Sequence, residues 1–191
     1  MPAQTRKKTT GVSFTVPGME ADDAATVAAV LQERLNALTD LSLTLKHVHW
    51  NVVGPHFIAV HTMLEPQVEA VRLMCDTTAE RIATLGRSPV GTPGALVKAR
   101  TWDDYSLGRA DAIAHLGALD LVYTSLIADH RQAMEKFEEL DLVSQDMLIE
   151  QCQQLEQFQW FVRAHFESSA GTLATEGAKT EQQAATQAEN A

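Results

Sequence analysis

Proline and glycine punctuate this chain, and the long intervals between them decide what it can fold into. The breaks fall at Pro17-Gly18, at Gly54-Pro55, from Gly86 to Gly94 and at Gly171. Between them the apolar residues recur every three or four positions, with no convincing strand alternation. Segment A covers about residues 20–51, with Val27, Leu31, Leu35, Leu38, Leu41, Leu45 and His49 on one stripe. Its first turn holds Asp22 and Asp23, which complement the helix dipole. Segment B covers about 57–85, segment C about 105–140 and segment D about 142–169. Each would be roughly 40 Å long or more at 1.5 Å per residue.

Four amphipathic helices of this length predict an all-α four-helix bundle. The A–B and C–D connections are short, so each pair should be antiparallel neighbours. The B–C connection, residues 86–104, is long enough to cross the bundle, with a short helix expected near Ala95 to Arg100. The expected organisation is a flexible basic tail over 1–18, the bundle over 19–170 and a flexible tail over 171–191. The last stretch, AKTEQQAATQAENA, is low in complexity and reads as disordered.

Composition removes several function classes. The 191 residues suit one domain, with 45% hydrophobic and 21% charged residues. A net charge of −10 and pI ≈ 5.1 repel nucleic acid and attract cations. Cys75 and Cys152 have no CxxC spacing, which excludes a zinc finger or disulfide framework and fits a reducing compartment. No uninterrupted apolar run approaches the roughly 18 residues of a membrane span. The basic start, MPAQTRKKTT, has no apolar stretch behind it, so it is not read as a secretory signal, and a cytoplasmic protein is expected.

Segment B carries the chemistry. On a helical wheel with His61 at zero, Val60, Leu64, Val68, Val71, Cys75, Ile82 and Leu85 fall at roughly −120° to −20°. His61, Arg72, Glu65, Asp76, Glu69 and Glu80 fall at roughly 0° to 100°. The plain reading of that second stripe is a solvated charged face. The other reading is a metal site, because His61/Glu65 and Asp76/Glu80 are both i, i+4 pairs able to converge on a cation. His61 and Asp76 are roughly 22 Å apart along one helix, so a single copy cannot bring both pairs to one ion. A second copy of segment B lying antiparallel, crossing near Ala70, would build two equal sites by twofold symmetry. Pro66 complicates this: either it interrupts the helix at a cost of about 3 kcal/mol, or the helix begins there and His61 sits on a loop. The Glu-x-x-His pair that bundles use for an internal di-iron centre is missing from the sequence.

The elements His49-Trp50-Asn51, Phe57-Ile58-Ala59-Val60-His61 and Asp76-Thr77-Thr78-Ala79-Glu80-Arg81 resemble the Dps family, the mini-ferritins named as DNA-binding proteins from starved cells. Arg100-Thr101-Trp102-Asp103-Asp104-Tyr105 and Phe158-Gln159-Trp160-Phe161-Val162 are similar to its actinobacterial members. The likeness spans roughly residues 13–170. It implies a ferritin-like bundle and a dodecameric shell with 23 symmetry. It also implies ferroxidase centres at twofold interfaces, with His49, His61 and Glu65 from one subunit and Asp76 and Glu80 from the next. Glu65 departs from the family's usual aspartate. Carboxylate and imidazole donors suit Fe(II), with no thiolate to select copper or zinc. Trp50 is either a sacrificial electron donor beside the metal, as the family implies, or a plain core aromatic. His47 points away from His49 on a helix, and His56, His115, His130 and His165 have no carboxylate at ligand spacing.

Asp141, Asp146 and Glu150 cluster at the start of segment D. Capping and dipole complementation explain them on their own, and the resemblance adds an acidic threefold pore for iron uptake. Arg6, Lys7 and Lys8 give the N-terminal tail +3, while residues 171–191 carry −2, so the body holds −11. Any DNA contact must therefore come from that tail, where twelve copies act by avidity; an ordinary tail is the simpler alternative. Three readings follow. The first is an Fe(II)-oxidising store, using hydrogen peroxide by the resemblance and protecting DNA by consuming Fenton reactants. The second is a nucleoid-compacting DNA-binding protein. The third is a metal-free scaffold.

Overall fold

A computed structural model of the chain describes residues 14–191. Arg6, Lys7 and Lys8 lie outside the described residues. Four long helices form the bundle: α1 (Ala21–Asn51), α2 (Phe57–Thr84), α4 (Ala112–Phe137) and α5 (Leu142–Arg163). A short helix, α3 (Pro93–Ala99), lies in the long crossover between α2 and α4, and α6 (Glu181–Glu189) follows near the C-terminus. Two-residue strands β1 (Val52–Val53) and β2 (Ala110–Asp111) pair in parallel, tying the end of α1 to the start of α4.

α1 pairs with α2 and α4 with α5, as their short connections require. Pro66 lies inside α2, so His61 is on the helix and the start at Pro66 is excluded. Buried Leu64, Gln67 and Val68 surround that position and hold the helix continuous despite the missing backbone donor. Asp111 and Asp141 cap α4 and α5 by accepting from the Ile113 and Val143 amides.

The apolar core falls into two parts. One is built around Leu38, Leu45, Leu64, Leu116, Tyr123 and Leu155; the other around Leu31, Ile82, Leu85, Phe137 and Leu148. Val16 and Met19 pack against the second, so the chain is already docked before α1 begins. By length and composition α4 could cross a membrane, but most of its apolar window is buried inside the protein. It is apolar because α1, α5 and α6 all pack on it.

The C-terminal expectation is corrected. Residues 181–189 form a helix with Ala184, Ala185 and Ala188 buried against α4. Gly117 makes this possible, since a Cβ there would lie 2.5 Å from the Ala184 carbonyl oxygen. Two polar contacts fix the segment. Thr175 Oγ1 donates to the buried Asp120 carboxylate at 2.7 Å, and the Ser106 amide donates to Glu181 at 2.6 Å.

Candidate metal centre

His49 lies in the last turn of α1 and His61 near the start of α2, brought together by the tight 52–56 connection. Their rings stack with centroids 3.7 Å apart. His49 Nδ1 is 3.0 Å from the His61 carbonyl oxygen, and His61 Nδ1 is 2.9 Å from that of His49. A carbonyl can only accept, so each Nδ1 carries the hydrogen and donates. In the neutral rings this fixes both tautomers and leaves the lone pair on each Nε2, the atom a metal needs. The bond to the His49 carbonyl also satisfies a helix-end acceptor that α1 itself leaves unpaired.

Glu65 sits one turn after His61 on α2. Its Oε2 is 3.5 Å from His49 Nε2. That gap is too long for a good hydrogen bond and close to the ~3–3.4 Å separation of two donors held ~2.1 Å from one ion. The same oxygen accepts from Lys46 Nζ at 2.6 Å. The lysine bond holds the Glu65 carboxyl below the usual carboxylate range. Lys46 was not among the residues singled out from sequence.

Asp76 and Glu80 are exposed further along the same face of α2, and among the described residues neither carboxylate has a salt-bridge partner. Among the described residues no group of three or more His, Cys, Asp or Glu side chains is placed to hold a metal ion within one chain. The structure thus brings His49 against His61 and, separately, against Glu65, and among the described residues no contact joins these to Asp76 or Glu80. This face of α2 is not a plain solvated one: Ile58 and Leu73, 65% and 63% exposed, lie on and at the edge of its polar stripe. Phe57, against the His61 ring, and Trp50 are exposed as well. Trp50, at 71% exposure, is not a core aromatic.

The ferritin-like domain family matches residues 28–170. The DNA protection during starvation protein of Mycolicibacterium smegmatis is 61% identical over 176 residues, which is 92% of this chain and 96% of that protein. The chain belongs to the Dps family of ferritin-like proteins. Among Dps structures, that of Mycobacterium smegmatis Dps matches with a TM-score of 0.87 and 61% identity, covering 88% of this chain and 97% of that one. DpsA14 from Streptomyces coelicolor matches with a TM-score of 0.84 and 62% identity, over 85% and 96%.

At the start of α5 in this Dps chain, the three acidic residues have different surroundings. Asp141 is committed to structure: it caps the helix, bonds Ser144 and pairs with Arg81 at 2.6 Å, with its side chain 7% exposed. Burial alone would raise its pKa, but the bonds from Arg81 and Ser144 outweigh that and hold it low. Asp146 and Glu150 are exposed. Two of the remaining histidines are tied into the fold: His47 donates from Nε2 to the Leu107 carbonyl at 2.8 Å, and His130 is fully buried.

Proposed function

We propose that this protein oxidises Fe(II) at centres shared by two subunits and stores the ferric product inside a closed shell of identical copies, twelve by family likeness. The observation that carries this reading is the stacked His49–His61 pair, with each Nδ1 committed to a backbone carbonyl and Glu65 at ligand spacing from His49 Nε2. The half-site supplies three donors, too few to enclose an iron ion. Asp76 and Glu80 of a second copy supply the missing carboxylates if α2 packs antiparallel on itself. The exposed Ile58 and Leu73 support that contact, because apolar side chains on a charged stripe are stabilised by burial.

Ferrous ions enter as substrate. Each surrenders one electron, and two together reduce one hydrogen peroxide to two hydroxides. Anionic carboxylates stabilise the ferric product over the ferrous reactant. Lys46 balances Glu65 until a cation replaces it. Iron reaches the interior past Asp146 and Glu150, with Asp141 holding the helix that carries them. Consuming ferrous iron and peroxide together is the chemical basis we assign to DNA protection, the property in the relative's name. Direct DNA contact, the alternative reading, rests on Arg6, Lys7 and Lys8 alone.

Stopped-flow oxidation of Fe(II) by hydrogen peroxide tests the assignment. The double variant His61→Ala with Asp76→Ala should lose the rapid phase while circular dichroism keeps its helical signal. A double variant as fast as the natural protein would overturn it.

A further inference from the structure

His61, Glu65 and Glu69 follow one another at intervals of four residues along α2, and so do Arg72, Asp76 and Glu80. On the helical wheel the two sets interleave, at roughly 0°, 40° and 80° against 20°, 60° and 100°. Glu69, Arg72, Asp76 and Glu80 are exposed. Among the described residues none of the four is in a salt bridge, although Glu69 and Arg72 are three apart, where helical side chains are neighbours. A glutamate and an arginine that leave each other unpaired, on the helix face that carries His61 and Glu65, are available to a second helix.

Every copy of the chain carries the same stripe. A twofold axis across two antiparallel helices sets each position level with the one equally far beyond the axis on the partner. The shared centre needs Glu65 level with Asp76 and His61 level with Glu80, which places the axis at the Ala70–Val71 peptide. Glu69 then faces Arg72 of the partner subunit, and Arg72 faces the partner subunit's Glu69. Two glutamates and two arginines surround the axis with alternating sign. Further out, exposed Ile58 faces the partner's Ala83, which is exposed too. Glu65 against the partner's Asp76 is the one like-charged pair, and there the cation goes.

Sliding the helices loses this match. With the axis at the Arg72–Leu73 peptide, Glu65 faces the partner's Glu80 and Glu69 faces the partner's Asp76, while neither His61 nor Arg72 meets an acid. With the axis at the Val68–Glu69 peptide, Arg72 faces the partner's Glu65, whose Oε2 already accepts from Lys46 at 2.6 Å. Glu69 then faces the partner's Val68, which is buried, and Glu80 faces the partner's Phe57, so both acids lack a cation. Exposed ion pairs add little affinity, but juxtaposed like charges are costly, so charge selects register more than it adds strength.

We propose that Glu69 and Arg72 form reciprocal ion pairs across the twofold axis of an α2–α2 contact and set the register that completes the metal centre. The inference rests on the shared centre proposed above, which one copy cannot complete. Glu69 and Arg72 are positioning residues: neither touches the metal.

The test compares four full-length, metal-free proteins: the natural chain, Glu69→Arg, Arg72→Glu and the exchange of both. Circular dichroism should show the same helical signal in all four, because both positions are exposed. Each single reversal sets four like charges around the axis and should weaken self-association in sedimentation velocity by about tenfold or more. The exchange rebuilds the alternation and should restore association to near the natural level. A single reversal that associates as tightly as the natural chain, or an exchange no better than the singles, overturns the proposal. Should a reversal lose its helical signal, Arg72→Gln replaces it and should weaken association by a smaller factor; association equal to the natural chain's overturns the proposal there too. Anaerobic calorimetry with Fe(II) then reads the centre. The exchange should recover the natural stoichiometry, and restored association without restored stoichiometry overturns the register role. A natural protein that binds no Fe(II) while the association pattern holds would overturn the shared centre and leave the ion pairs standing.

Discussion

In the proposed centre, Lys46 and an incoming ferrous ion would compete for the same Glu65 oxygen, 2.6 Å from the ammonium. Lys46→Met should therefore tighten Fe(II) binding severalfold in anaerobic titration calorimetry; weaker binding would mean the lysine helps to hold Glu65 in place for the metal. A second residue-scale prediction concerns His130. Burial and the neighbouring Arg34 of α1 push its pKa down to about 4, while Asp129 beside it on α4 and Gln151 of α5 work in the opposite direction. The depressed value means that the folded state keeps His130 neutral where the unfolded chain takes a proton. Its contribution is full above the unfolded value of about 6.5, falls as pH drops below it and levels off near 4, a loss of about 3 kcal/mol. Urea titrations from pH 7 to 4 should show that loss, and His130→Leu should flatten it. At this scale the sequence named candidate ligands by type and spacing. It could not show the reciprocal imidazole–carbonyl bonds or Lys46, because those contacts join α1 to α2 across 12 and 19 residues.

α6 was the element that the sequence concealed. Its alanines give a weak apolar signal and its flanks are polar, so the stretch reads as disordered. The clue was Gly117, an isolated glycine within a helical pattern, which often marks a close approach of another backbone. Gly117→Ala should force α6 off α4, costing about 1–3 kcal/mol, the usual range for overpacking. Hydrogen exchange over 181–189 should then rise sharply while the four main helices keep their protection. Unchanged exchange would mean that α6 tolerates the methyl by shifting. Helix α2 makes the opposite case. Its apolar and polar stripes were legible from periodicity, and that pattern outweighed the single proline in its path.

The four-helix architecture was legible because each amphipathic segment has a stripe too wide to leave in water. The proposed metal centre was only half legible, since spacing separates the two candidate ligand pairs along α2 and only an assembly could reunite them. Charge acts at the same scale. The body's −11 repels DNA, so deletion of residues 1–10 should abolish any low-salt gel shift, and retained binding would place the contact elsewhere. The shared centre itself has a direct measurement. His61→Ala and Asp76→Ala subunits, each inactive alone, are unfolded, mixed and reassembled into one particle. Each mixed twofold contact would contain one centre with both halves intact and one with both damaged, so random mixing restores roughly a quarter of the natural sites. Stopped-flow Fe(II) oxidation by the mixed particles should recover about that fraction of the rapid phase. Mixed particles as inactive as either parent would contradict a centre built from two subunits.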